Sequence, residues 1–194
     1  MECLQQGQTD ALDALYRRYA AKLYTFCRYT ARTLDAQGLE DLVQDVFLRV
    51  IKSAHTYDAR RASFRTWLFR IARNRCIDVM RRARRVQMLP ILDGTEPEAE
   101  QEASVPPSML VDERQDTERD VVWASVLDAL RECIEALADE SERQAILLYY
   151  LGGKVYREIG QVLGKSTSTA KNRIESAQGQ LKRCLEGKGI HGAP

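Results

Sequence analysis

Tyr156-Arg-Glu-Ile-Gly-Gln-Val-Leu-Gly164, continuing as Lys165-Ser-Thr-Ser-Thr-Ala-Lys-Asn-Arg-Ile174, is the stretch that decides the fold. Its spacing predicts a short helix over 156–163, a turn at Gly164 and a longer helix from Thr167. On the longer helix Ala170, Ile174, Ala177, Leu181 and Leu185 recur at spacings of four, three, four and four, which puts them on one face. A short helix, a glycine turn and a second helix with an inward apolar face make a helix-turn-helix. From pattern alone, the alternative is a plain hairpin inside a helical bundle.

Working outward, Val122, Val126, Leu130, Ile134 and Leu137 mark a helix upstream. Ser141 is a candidate cap for another, which carries Ala145, Leu148 and Leu151 and stops at Gly152–Gly153. Residues 119–187 therefore form one expected domain. Residues 86–118 hold five prolines and glycines (Pro90, Gly94, Pro97, Pro106, Pro107) among acidic and small residues, the composition of a flexible linker. Before it, three helices are expected: 10–34, 39–51 and one from Ser63 to about 85, with a break at 35–38 and a loop over 52–62. They define a first domain over 8–85. The fold class is all-α: two small helical domains joined by a flexible acidic linker, the second containing the helix-turn-helix.

The formal net charge of +1 conceals a segregated pattern. Residues 1–85 carry 17 Lys/Arg against 9 Asp/Glu, residues 86–120 carry 2 against 10, and residues 121–194 carry 10 against 9. Such blocks create local potentials that the total hides. Seven arginines (Arg70, Arg73, Arg75, Arg81, Arg82, Arg84, Arg85) fall within 16 residues, opposed there only by Asp78. Solvation alone needs fewer, so contact with nucleic-acid phosphates is the better explanation. Tyr57, Phe64 and Trp67 stand just upstream and can offer unpaired bases a stacking surface, although Trp67 equally suits the core.

In the second domain Ser168, Thr169, Lys171, Asn172 and Arg173 lie on the outer face of the recognition helix. Asn and Arg suit bidentate contacts with adenine and guanine. Ser166 suits either a phosphate contact or a helix cap, Lys165 adds charge at the turn, and Tyr156 and Arg157 are placed to touch the DNA backbone. Asp41, Gln44, Asp45 and Phe47 run along one helix of an otherwise basic domain. They read as a docking face for a basic protein partner, with ordinary helix solvation as the alternative.

Catalysis is not expected. His55 and His191 have no nucleophile or metal ligands at motif spacing. Gly160-Gln-Val-Leu-Gly164-Lys165-Ser166 imitates a phosphate-binding loop but has three residues between its glycines where that motif needs four. The five cysteines (Cys3, Cys27, Cys76, Cys133, Cys184) stand far apart without a CxxC pair, which argues against a zinc site or a disulfide framework. No metal or other cofactor is expected. Neither a signal sequence nor an 18-residue apolar run is present, so the expectation is a cytoplasmic protein without membrane insertion.

Three segments carry a resemblance to a known family: Leu39-Glu-Asp-Leu-Val-Gln-Asp-Val-Phe-Leu-Arg-Val50, Phe64-Arg-Thr-Trp-Leu-Phe-Arg-Ile-Ala-Arg-Asn-Arg-Cys-Ile-Asp78 with the arginine run, and the helix-turn-helix. The chain resembles the extracytoplasmic-function (ECF) group of bacterial RNA polymerase sigma factors, within the sigma-70 family, over nearly its whole length. The resemblance implies that Asp41, Gln44, Asp45 and Phe47 dock on core RNA polymerase. It implies that Tyr57, Phe64, Arg65, Trp67, Arg70, Arg73, Asn74, Arg81 and Arg82 hold the melted −10 promoter strand, with the loop at 54–63 pocketing a flipped base. It assigns −35 duplex DNA to the helix-turn-helix, mainly through Lys171, Asn172 and Arg173. Promoter DNA and core polymerase are the implied partners, and relatives are often held by an anti-sigma factor. Three positions depart from the family pattern. Glu175-Ser-Ala-Gln178 replaces a basic segment, Lys165 replaces an apolar residue, and Ala138 stands where a Leu-Pro pair usually opens a helix. A helix-turn-helix regulator that never joins polymerase is the competing reading; the acidic helix and the aromatic-arginine segment of the first domain speak against it. So does the arginine cluster against a purely structural or interaction protein.

Overall fold

Asp35 decides where the first domain turns its corner. Its backbone is extended and its carboxylate accepts the Gly38 N–H at 2.8 Å, so it caps a helix. A computed structural model describes residues 9–88, 117–153 and 155–191. The described helices are α1 (Thr9–Thr30), α2 (Ala36–Lys52), α3 (Phe64–Met88), α4 (Thr117–Glu135), α5 (Glu140–Gly152), α6 (Tyr156–Leu163) and α7 (Thr167–Gly187), with a 3-10 turn at Ala54–Thr56. They divide into two compact units, α1 to α3 and α4 to α7. The linker expected over 86–118 lies, apart from its two ends, outside the described residues.

In the first unit, α1 ends at Thr30 and α2 starts at Ala36, so each boundary differs from expectation. The expected break at 35–38 is a cap followed by the first turn of α2. One satisfied N–H outweighs the modest cost of Gly38 in a helix. Ser63 opens α3, accepting the Thr66 N–H at 3.3 Å. Each of the three helices packs on the other two. Their shared core holds Leu23, Tyr24, Phe26, Leu39, Val43, Val46, Val50, Leu68 and Phe69, all fully buried. The Phe26 and Phe69 rings meet edge to face, centroids 5.3 Å apart. Cys27 of α1 and Cys76 of α3 are buried free thiols. Their mutual hydrogen bond, and then burial, hold the Cys27 thiol well above its ordinary pKa.

The second unit is built around α7, which packs against α4, α5 and α6. Ala170, Ile174, Ala177 and Leu181 are buried, the inward face that the spacing predicts. Asp139, not Ser141, caps α5, accepting the Ser141 N–H at 2.7 Å. Arg143 is only 3% exposed. Its guanidinium donates to the Ile134 carbonyl in the last turn of α4, to the Leu137 carbonyl just beyond it, and to Glu140 at 3.0 Å, so this buried charge is bonded on three sides.

The expectation against disulfides is corrected here. Cys133 of α4 and Cys184 of α7 form a disulfide with Cα atoms 5.8 Å apart, across 51 residues of chain. Spacing along the sequence carried no sign of it. The two positions meet only because α4 lies along α7.

The turn between α6 and α7 has two glycines with separate duties. Gly164 adopts φ +65°, the left-handed conformation that ends α6. Gly160 sits under the turn, where an added Cβ would lie 2.8 Å from the Lys165 carbonyl oxygen. Ser166 then caps α7, its Oγ accepting the Thr169 N–H at 3.1 Å.

Candidate functional site

On α2, helical spacing gathers Asp41, Gln44, Asp45, Leu48 and Ile51 on the side away from the core. Asp41 and Gln44 are exposed and Asp45 half-buried. Phe47 is not among them. It is 4% exposed and its ring lies 4.9 Å from that of Tyr16, so it belongs to the core and cannot offer its face to a partner. Sequence reasoning missed Leu48 and Ile51, which are 53% and 42% exposed. The readable signal was two large apolar residues lying off the buried stripe, four and seven positions from Gln44. Asp41 accepts a bond from Gln37 at 3.2 Å, within its own helix. Asp45 is bonded more heavily, by Arg49 at 3.3 Å and by Arg75 of α3.

The α3 group begins with three aromatic rings. Tyr57 and Trp67 have centroids 5.4 Å apart, Phe64 and Trp67 6.0 Å, and Tyr57 and Phe64 6.1 Å. Trp67 is 5% exposed, so the core reading holds for its bulk, and it supports the other two from beneath. Tyr57 and Phe64 are half-buried. Trp67, Arg70, Asn74 and Arg81 follow at spacings of three, four and seven, one side of the helix. Arg70, Asn74, Arg81 and Arg82 are exposed, Arg65 and Arg73 half-buried. Arg73 and Arg82 flank that line rather than extend it. In the adjoining loop Asp58 accepts two bonds from the Arg60 guanidinium, both at 3.1 Å, and one from the Arg60 N–H at 2.9 Å. These bonds hold the Asp58 carboxyl below its ordinary pKa.

In the second unit, Lys165, Ser166, Ser168, Lys171 and Asn172 are exposed, while Thr169 and Arg173 are half-buried. The Ser166 hydroxyl is committed as a cap and also meets Ser168 Oγ at 3.0 Å and Thr169 Oγ1 at 2.8 Å. Lys171 lies 3.6 Å from Glu175, one turn on, so part of its charge is answered within α7. Arg157 is exposed at the start of α6. Tyr156 stacks on Tyr149 at 5.7 Å, and its hydroxyl pKa is raised chiefly by the hydrogen bond to Tyr149. The departure at 175–178 has a structural use: Gln178 donates to the Tyr150 hydroxyl at 3.3 Å, tying α7 to α5.

Among the described residues no group of three or more His, Cys, Asp or Glu could hold a metal ion, and no helix is long and apolar enough to cross a membrane.

Known proteins show the same two-part arrangement. Residues 15–86 match the family described as Sigma-70 region 2, and residues 127–177 that described as Sigma-70, region 4. The chain is 31% identical over 188 residues to the ECF RNA polymerase sigma factor SigK of Mycobacterium ulcerans, covering 94% of this chain and 90% of that protein. It is 30% identical over 191 residues to the protein of that name in Mycobacterium tuberculosis strain H37Ra, with 90% and 94% covered. Two solved structures share the fold. CnrH in complex with the cytosolic domain of CnrY gives a TM-score of 0.59 at 22% identity, with 95% of this chain and 93% of that chain covered. The sigma factor RpoE in complex with the anti-sigma factor NepR from Bartonella quintana gives 0.60 at 22% identity, with 96% and 98% covered.

Proposed function

Because this chain belongs to the ECF sigma factors of the sigma-70 family, we propose that its two domains divide promoter recognition between melted and duplex DNA. The domains are assigned to 8–85 and 119–187, with 86–118 as the connector. The protein directs core RNA polymerase to promoters and is not itself an enzyme. Cytoplasmic residence follows from that role.

The observation that carries this reading is the α3 surface, where Tyr57 and Phe64 sit on Trp67 and lead into Arg70, Asn74 and Arg81 along one side of the helix. Rings beside guanidinium groups suit bases that have left the stack and the phosphates between them. A protein that reads only duplex DNA has no use for that combination. Unstacking a base costs a few kcal/mol per step, roughly what ring and pocket contacts return. Arg65, Arg73 and Arg82 flank the strand. On the duplex side, Lys171, Asn172 and Arg173 approach base edges, with Thr169 and Ser168 beside them. Lys165, Tyr156 and Arg157 meet phosphates, and Ser166 acts through the helix end it caps. Asp41, Gln44, Asp45, Leu48 and Ile51 form the polymerase-docking face. An anti-sigma partner, as the Bartonella quintana RpoE has in its solved complex, is proposed as the restraint on activity.

The test is transcription by core polymerase from promoters of the same genome, with and without the purified chain. A promoter-specific transcript and co-migration with core are expected. Absence of both overturns the reading in favour of a polymerase-independent regulator. Replacing Lys171 and Arg173 by alanine should weaken −35 duplex binding and lower the salt slope by roughly one unit per lost phosphate contact. Equal loss on every DNA sequence would reduce those two side chains to phosphate contacts.

A further inference from the structure

Asp45 differs from its neighbour Asp41 in one respect: its bonds cross between helices. The Arg75 Nε donates to Asp45 Oδ2, the oxygen that Arg49 also approaches at 3.3 Å. Arg75 stands 30 residues further along, on α3, next to Asn74. Its side chain is 11% exposed and that of Asp45 35%, so the guanidinium is enclosed while the carboxylate keeps an open side. Arg75 Nη1 is buried without a hydrogen bond and lies 3.7 Å from Asp78 Oδ2. This pair closes one wall of a groove of about 420 Å³ between α2 and α3, lined by Asp45, Leu48 and Lys52 on one side and Ile71, Asn74 and Arg75 on the other. The groove therefore lies where the docking face of α2 meets the strand-holding side of α3.

We propose that Arg75 is a positioning residue that couples polymerase docking at Asp45 to promoter-strand capture on α3. The inference rests on the sigma-factor reading above and adds a link between its two surfaces. A carboxylate has about four acceptor positions. Both arginine bonds fall on Oδ2, so a cation from the polymerase arriving on the open side of Asp45 takes Oδ1 and fixes the carboxylate that holds Arg75. Arg75 is enclosed, so a carboxylate fixed by docking fixes the guanidinium and, through it, the α3 backbone beside Asn74. Among the described residues Asp41 bonds within α2, so a partner at Asp41 has no such path.

The experiment uses the full chain and holoenzyme assembled at saturating core polymerase. The probe is a single-stranded non-template −10 oligonucleotide from a promoter that the wild type transcribes. Asp45→Asn should weaken strand binding about fivefold, the scale of coupling within one ion-pair network. Asp41→Asn should weaken core binding yet change strand binding less than twofold. Arg75→Met should match the strand defect of Asp45→Asn, and the double variant should lose no more than either single one. Arg75→Lys should recover part of the loss, and duplex −35 binding should not move in any of them. A merely structural role for Arg75 would lower the melting of the first domain in proportion to the loss of strand binding, or would add to Asp45→Asn, and either result overturns the proposal. Equal strand binding by Asp41→Asn and Asp45→Asn overturns it as well, while wild-type transcription leaves the sigma-factor reading standing. A wild type that binds core but not the oligonucleotide removes the reading and this proposal together.

Discussion

The two domains each set a pair of cysteines face to face, and they leave the pairs in opposite states. In the first, Cys27 and Cys76 remain thiols inside a core already filled by large side chains, Tyr24, Phe26 and Phe69 among them. In the second, the largest fully buried side chains among the described residues are aliphatic, Ile146, Leu148 and Ile174, and Cys133 is bridged to Cys184. Small helical units bury a limited fraction of their surface, so a crosslink matters most where the core is thinnest. The first domain holds its binding surface by packing, and the second supplements packing with a covalent tie and a three-way bonded arginine, Arg143.

The largest effect that separates the two should come from Phe69→Ala, which removes half of the Phe26–Phe69 ring pair. It should cost the first domain about 4 kcal/mol and leave the melting of the second domain unchanged in a calorimetric scan of the full chain. A shift of both transitions would break the division. Reduction of the disulfide should be no larger and fall on the other domain, at most about 4 kcal/mol for a separation of 51 residues. Scans with and without dithiothreitol, beside a Cys133→Ser variant, check it; an unmoved second transition would mean that its packing suffices alone. Gly160→Ala should follow at about 2 kcal/mol, because the new methyl meets the Lys165 carbonyl, which can move only by opening the turn. Loss of −35 duplex binding with −10 strand binding intact would confine that damage to the helix-turn-helix.

The helix-turn-helix was legible because its signals are local. Four apolar positions at helical spacing record the face that α7 buries, and the two glycines act on the turn beside them. The all-α class and the order of helices followed from the same periodicity. Boundaries were less legible: Asp35 and Gly38 look like a break, yet the Asp35 carboxylate turns them into a helix start. At the candidate site, sequence singled out the charged and polar residues, but the structure places one ring, Phe47, differently. Phe47 lies at the edge of the buried stripe of α2, and only the position of Tyr16 on another helix decides that it turns inward. Leu48 and Ile51 show the converse, apolar residues that the packing of α2 leaves outside. The Cys133–Cys184 bridge and the Asp45–Arg75 pair span 51 and 30 residues. Both depend on how helices lie against each other, which no periodicity within one helix records.

The inward turn of Phe47 has a kinetic consequence for docking. What α2 leaves for a partner is a pair of acids, Asp41 and Asp45, beside two exposed aliphatic side chains, Leu48 and Ile51. Charges act at a distance and guide diffusing molecules, whereas aliphatic contacts form only after touching. Encounter should therefore slow as salt rises, while the lifetime of the complex, once formed, should be governed by Leu48 and Ile51 and respond little to ionic strength.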